Sequence, residues 1–125
     1  MAQKFFTVEE ANAILPRVRV MVEEMMLLRA EAMAMRPDVW PILEKAVNNG
    51  GSSKAGELFV IFSRFQKLFK ELHAMGCELK GLENGLIDFL SMRDGQKVYL
   101  CWRYNEPEIA YWHHLDAGFA GRQPL

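Results

Sequence analysis

GLIDFLSMRDGQKVYLCWRYNEPEIAYWHHLDAGFAGRQPL, residues 85–125, is the stretch whose reading decides the fold. All three Tyr, two of the three Trp and two of the three His fall inside it. Asp94-Gly95 stands between two apolar runs. A two-residue type I′ turn needs φ > 0 at both central positions, so Asp-Gly there predicts a hairpin. Closing that turn pairs Leu90 with Tyr99, Asp88 with Cys101 and Leu86 with Arg103. Tyr104-Asn105-Glu106-Pro107 predicts the next turn, because Pro cannot donate to a central ladder. Pairing Arg103 with Glu108 across it sets Cys101 beside Ala110 and Val98 beside His113.

Opposed residues of a sheet share a face and successive residues alternate. This register gives a core face of Ile87, Phe89, Val98, Leu100, Trp102, Ile109, Tyr111 and His113. The other face is mixed, with Leu86, Asp88, Leu90, Tyr99, Cys101, Arg103, Glu108, Ala110, Trp112 and His114. Arg103 and Glu108 form a cross-strand ion pair in it. A slip of one residue exchanges the members of the two faces.

Upstream, Thr7 with Glu10 is a capping box at the start of a helix expected to run to Arg36, before Pro37. Ile14, Val18, Met21, Met25, Leu28, Ala32 and Met35 recur at steps of four and three, and Leu15, Val22, Met26 and Met33 widen the stripe. Two such Met-rich stripes are self-complementary, so a homodimer is expected. Trp40 to Val47 is expected to form a short helix, and 48–53 (NNGGSS) a loop. A further helix is expected from Lys54 to Met75, with Leu58, Ile61, Phe62, Phe65, Leu68, Phe69 and Leu72 on one face and Gly76 beyond its end. Cys77 to Leu82 alternates as a fourth strand. Helices followed by a strand meander read as α+β: an antiparallel helical hairpin and a short connecting helix packed on a small antiparallel sheet.

The chain has 125 residues, half of them apolar and a quarter charged, with a formal net charge of −1. That length predicts one domain, with residues 1–76 helical and 77–125 forming meander and tail. The near-neutral balance gives no basic excess for nucleic acid or for an anionic membrane surface. Without a signal peptide or an apolar run near 18 residues, the cytoplasm is the expected location.

FTVEEANAILP near the start, GLIDF, LCWRYNEPEIAYWH and GFAGRQPL together resemble the bacterial and archaeal domain-of-unknown-function family numbered 2203. The resemblance spans nearly the whole chain. It implies family positions at Asp88, Trp102, Glu106, Trp112, His113, Gly118, Gly121 and Arg122. An acidic residue follows the WH motif in the family, where this chain has His114. No activity, substrate or cofactor comes with the resemblance.

The chain itself names no cofactor. Gly118 and Gly121 lack the strand-to-helix context and the Lys of a phosphate loop. Cys77 and Cys101 match no CxxC or zinc spacing. Cys101 opposes Asp88 rather than a His, and a neighbouring carboxylate raises a thiol pKa, which disfavours a nucleophile. His113, His114 and Asp116 lie within four residues and are the candidate metal ligands, yet His113 and His114 point to opposite faces of a strand. Glu106 lies about 23 Å away along an extended strand. Arg122 offers a planar fork for a carboxylate, with Asp88 or Glu106 the expected partner, in a tail folded back over the mixed face. Candidate ligand-binding residues are therefore Asp88, Arg103, Glu106, Trp112 and Arg122. Two function classes follow: a small binding or interaction module taking a small molecule or metal, and a small metal-dependent enzyme using His113 with Asp116 or Asp88.

Overall fold

The computed structural model describes residues 4–35 and 56–125. The short helix expected at Trp40 to Val47 and the loop at 48–53 lie outside the described residues. Helix α1 spans Val8–Met35 and helix α2 spans Gly56–Ala74. Strands β1 (Cys77–Gly81), β2 (Leu86–Arg93), β3 (Gln96–Arg103), β4 (Tyr111–His114) and β5 (Gln123–Pro124) follow. They form one sheet in the order β1-β2-β3-β4-β5, every pair antiparallel. The fold is α+β; among the described residues, two helices pack on a meander.

Local chemistry sets the ends of these elements. The Thr7 N–H donates to Glu10 Oε1 at 2.9 Å, and the Glu10 N–H donates to Thr7 Oγ1 at 3.0 Å. The Thr7 backbone N–H, helped by its side chain, favours the carboxylate and holds Glu10 below its usual range. The capping box thus satisfies amides that α1 leaves without helical partners. Asp94 (φ 52°) and Gly95 (φ 78°) both occupy the left-handed region, as a type I′ turn demands. That turn fixes the β2–β3 register at Leu90–Tyr99, Asp88–Cys101 and Leu86–Arg103, as the sequence predicts. Beyond Cys77, where β1 begins, the N-terminal segment continues along the edge of β2. The Phe6 N–H donates to the Leu90 carbonyl at 2.7 Å, and Ser91 Oγ donates to the Phe6 carbonyl at 2.6 Å.

The core lies between the helices and one sheet face. Val18, Met21, Val22 and Met25 from α1 are buried with Leu58, Ile61, Phe62 and Leu72 from α2 over Ile87, Phe89, Leu100 and Trp102. Met21 and Met25 of the α1 stripe are thus buried within the chain, whereas Met35 is exposed. Phe69, expected on the buried face of α2, is instead 41% exposed.

The β3–β4 register differs from expectation by one residue. Val98 faces His114, Tyr99 faces His113, Leu100 faces Trp112 and Cys101 faces Tyr111. The cause is the loop between the strands. A tight turn does form, with the Glu106 N–H donating to the Arg103 carbonyl at 3.0 Å and Asn105 at φ 85°. Beyond it the chain leaves the ladder and docks on α1. The Ile109 N–H donates to Asn12 Oδ1 at 2.8 Å, and Arg19 donates to the Glu106 and Pro107 carbonyls at 3.1 and 3.2 Å. The expected Arg103–Glu108 pairing is thereby lost, and every residue of β4 changes face. His113 and Tyr111 move to the mixed face; Trp112 and His114 move to the helix side.

Trp102 is fully buried, and its indole N–H donates to the Glu106 carbonyl at 2.9 Å, so its polar end is satisfied. Trp102→Ala is expected to cost on the order of 3–5 kcal/mol in urea unfolding. Arg17→Ala, on the exposed side of α1, should stay within about 0.5 kcal/mol. Equal midpoints for the two variants would contradict this placement of the core.

Candidate functional site

Asp88 in β2 and Cys101 in β3 are direct cross-strand partners on the face away from the helices. The one-residue offset of β4 puts His113 on the same face, opposite Tyr99 and diagonal to Cys101. His113 Nε2 lies 3.0 Å from Asp88 Oδ2, with both side chains nearly inaccessible. Asp88 is 3% exposed, Cys101 2% and His113 2%. Burial on an outer face needs a cover, and the tail supplies it. After β4 the chain turns through Leu115 to Gly118 and makes one 3-10 turn, Phe119–Gly121. It then returns as β5 against β4, with Leu125 N–H donating to the Ala110 carbonyl at 3.0 Å.

A cavity of about 220 Å³ opens over the cluster. Asp88, Cys101 and His113 line it together with Lys80, Leu86, Leu115, Gly118 and Phe119. A larger groove of about 300 Å³ lies between α2 and β1, but its lining is mainly Phe62, Phe65, Phe69, Leu79 and Leu82, with Lys80 and Gln66 as its polar side chains. The reactive groups are in the smaller cavity.

Hydrogen bonding fixes the proton positions in the cluster. His113 Nδ1 is 2.7 Å from the carbonyl of His114. A carbonyl only accepts, so Nδ1 carries a proton and donates. One proton then lies between Nε2 and Asp88 Oδ2, held either by the ring or by the carboxyl. Burial pushes the Asp88 carboxyl up, against the opposing pull of His113. Burial, reinforced by the Asp88 carboxylate, pushes the Cys101 thiol up to about 12. Asp88 Oδ1 is buried and has no hydrogen-bond partner among the described residues, while the Cys101 thiol beside the carboxylate helps to favour its charged form. Tyr99 packs beside His113 at 5.6 Å between ring centroids, and Lys80 Nζ sits 4.7 Å above the Tyr99 ring.

The other candidates separate into distinct places. Glu106 Oε1 accepts from the Arg103 N–H at 2.7 Å and from Arg122 at 2.6 Å. Arg122 also donates to the Cys101 carbonyl at 3.2 Å, and its guanidinium lies 4.0 Å from the Tyr111 ring centre and 4.8 Å from that of Phe119. Its carboxylate partner is Glu106, not Asp88. Arg103 is exposed, with its guanidinium 6.0 Å from the centre of the Phe119 ring. Trp112 packs against the core, with Arg93 over its ring at 4.8 Å. His114 stacks edge-on against Trp112 at 5.0 Å, and Asp116 is exposed. The expected set of His113, His114 and Asp116 is therefore not assembled. Among the described residues, the group of side chains placed to share an ion is Asp88, Cys101 and His113, whose ligand atoms all lie within 4.8 Å of one another. The sequence register sets Cys101 against Asp88 and away from a His; with β4 in its actual register Cys101 has both as neighbours.

The profile of the family described as "Uncharacterized conserved protein (DUF2203)" matches residues 4–125. The chain belongs to this family. No curated protein and no solved structure matches it. Membership in DUF2203 brings no activity, so function rests on the geometry. No helix among the described residues is long and apolar enough to cross a membrane.

In this DUF2203 chain the Glu106–Arg122 pair latches the tail over the site. Both side chains are mostly buried, so removing one strands the other. Glu106→Ala is expected to destabilise by about 2–4 kcal/mol. A double-mutant cycle with Arg122→Ala should show coupling of about 1–3 kcal/mol in urea unfolding. Strict additivity would mean that the pair does not hold the tail.

Proposed function

We propose that this chain is a small cytoplasmic binding module whose site is the cavity on the outer sheet face, floored by Asp88 and His113 and roofed by the tail. The observation that carries this reading is Asp88 Oδ1: a carboxylate oxygen buried without a partner, at the floor of a cavity. Burying a carboxylate is costly unless it is fully hydrogen-bonded, and apolar residues in its place are often neutral or stabilising. An incompletely satisfied acid therefore serves the fold poorly and a ligand well. The ligand it suits presents a hydrogen-bond donor or a positive charge. Leu86, Leu115 and Phe119 supply apolar walls, and Lys80 supplies a cation at the rim.

Arg103 lies beside this cavity through Phe119, whereas Glu106 and Arg122 support it from below by holding the tail. Trp112 faces the helix side and plays no part in the reading. The pairing of two copies, expected from the methionine stripe, now has as its support the outward Val20 and Leu27 of α1.

A nucleophilic enzyme built on Cys101 does not fit the geometry. Activation needs a His nitrogen free to take the thiol proton. One His113 nitrogen faces Asp88 and the other donates to a carbonyl. The enzyme alternative keeps its support only through the contact of His113 with Asp88, since Asp116 stands in solvent.

Chemical-shift mapping with a fragment panel of small amines and amides tests the module reading. Perturbations are expected to cluster on Asp88, Cys101, His113 and 115–119. Asp88→Asn, its fold checked by circular dichroism, should abolish them. Perturbations confined to the α2–β1 groove, or ones that persist in Asp88→Asn, would contradict it.

A further inference from the structure

The geometry points to a divalent transition-metal site of the kind zinc occupies, held by Asp88, Cys101 and His113, with its fourth coordination position open to the cavity. This deepens the reading above and rests on its claim that the cavity floor is the site. The donor set is the first argument. One carboxylate oxygen, one thiol sulfur and one imidazole nitrogen converge from three adjacent strands, all within 4.8 Å of one another. Zinc binds all three donor types at about 2.0–2.3 Å, which places tetrahedral ligands roughly 3.3–3.8 Å apart. Small side-chain rotations on fixed strands bring the cluster there. The sulfur donor argues against magnesium or calcium, which take oxygen.

Ring orientation is the second argument. A metal-bound His characteristically donates its other ring N–H to a carbonyl or carboxylate, which fixes the tautomer. His113 makes that bond, from Nδ1 to the His114 carbonyl at 2.7 Å, leaving Nε2 turned toward Asp88. The ligating nitrogen is therefore already selected before any ion arrives.

Charge balance is the third. Without metal the cluster holds one proton between His113 and Asp88 and one on Cys101, and its net charge is zero. Binding displaces both protons. Carboxylate, thiolate and neutral imidazole then carry two negative charges, which one divalent cation cancels. The buried net charge is zero on both sides of the exchange, so the low-dielectric site gains no uncompensated charge. A coordinated thiol is deprotonated outright by the ion's own field. Finally, Asp88 Oδ1 has no hydrogen-bond partner among the described residues, so one carboxylate oxygen has its lone pairs uncommitted.

Three protein ligands and an accessible fourth position distinguish such a centre from a closed, structural zinc site. Gly118 and Phe119 at the cavity wall leave room for a water or for one donor atom of a small ligand.

Titration of the full chain with zinc, and with cobalt as its spectroscopic substitute, tests the proposal. One ion per chain is expected, with cobalt giving a thiolate-to-metal charge-transfer band and the strong visible bands of tetrahedral coordination. Cys101→Ser should remove the charge-transfer band. Asp88→Asn and His113→Gln should each weaken zinc binding at least about tenfold. Cys77→Ser, which alters the buried thiol at the start of β1, should keep both the band and the affinity, as should His114→Ala on the opposite face. Circular dichroism of each variant confirms that it is folded. Absence of zinc binding by wild type, survival of the band in Cys101→Ser, or loss of binding in His114→Ala would overturn the metal assignment. If zinc fails while amine fragments still map to the cavity, only the metal is wrong. If both fail, the site itself is wrong.

Discussion

Glu106 is the residue on which the rest of this structure depends. Its backbone carbonyl accepts from the Trp102 indole and from Arg19, its N–H closes the turn onto Arg103, and its carboxylate binds the Arg103 N–H and Arg122. One residue thus joins the sheet, the first helix and the tail. The carbonyl bonds pull the β3–β4 loop toward α1 and the core. The carboxylate bonds hold Arg122, and through it the tail, over the outer face. Charge-assisted bonds of this kind are the stronger class, and here they are sheltered from solvent. Trp102 anchors the same loop from within the core.

Two consequences reach the site. Docking of the loop fixes the offset of β4, and the offset decides that His113, not His114, meets Asp88. The latched tail then excludes water from that contact, which raises both its electrostatic strength and the cost of any unpaired group. A carboxyl, a thiol and an imidazole are consequently kept together under apolar cover. Each is poised to exchange a proton for a stronger partner. That combination is unfavourable for bare stability, and it is what a binding site of this chemistry requires.

Much of this was legible in the residues. Thr7 with Glu10, Asp94-Gly95 and the apolar periodicities of both helices act within a few positions of themselves, so they could be read directly. The Asp88–Cys101 pairing followed from the turn alone. The β4 register could not be read that way. It depends on Asn12 and Arg19, whose bonds to Ile109, Glu106 and Pro107 span 87 to 97 residues of sequence. Nothing local marks Arg19 as a loop clamp lying 5.8 Å from the Trp102 ring. An error of one residue was enough to send His113 to the wrong face, because the side-chain period of a strand is two. It hid the contact between His113 and Asp88 and credited Trp112 with a place on the mixed face. Met21 and Met25 of the methionine stripe, read as a mating surface between copies, are buried in the core with α2 and the sheet.

The central claim is that His113 sits buried between Asp88 and a backbone carbonyl, with Nδ1 carrying the donated proton. Long-range proton–nitrogen correlation spectra of the metal-free protein measure this directly. The account predicts a protonated Nδ1 with a slowly exchanging hydrogen, and an Nε2 whose shift changes in Asp88→Asn. A His113 ring with Nδ1 unprotonated, or one whose Nε2 is indifferent to Asp88→Asn, would contradict it.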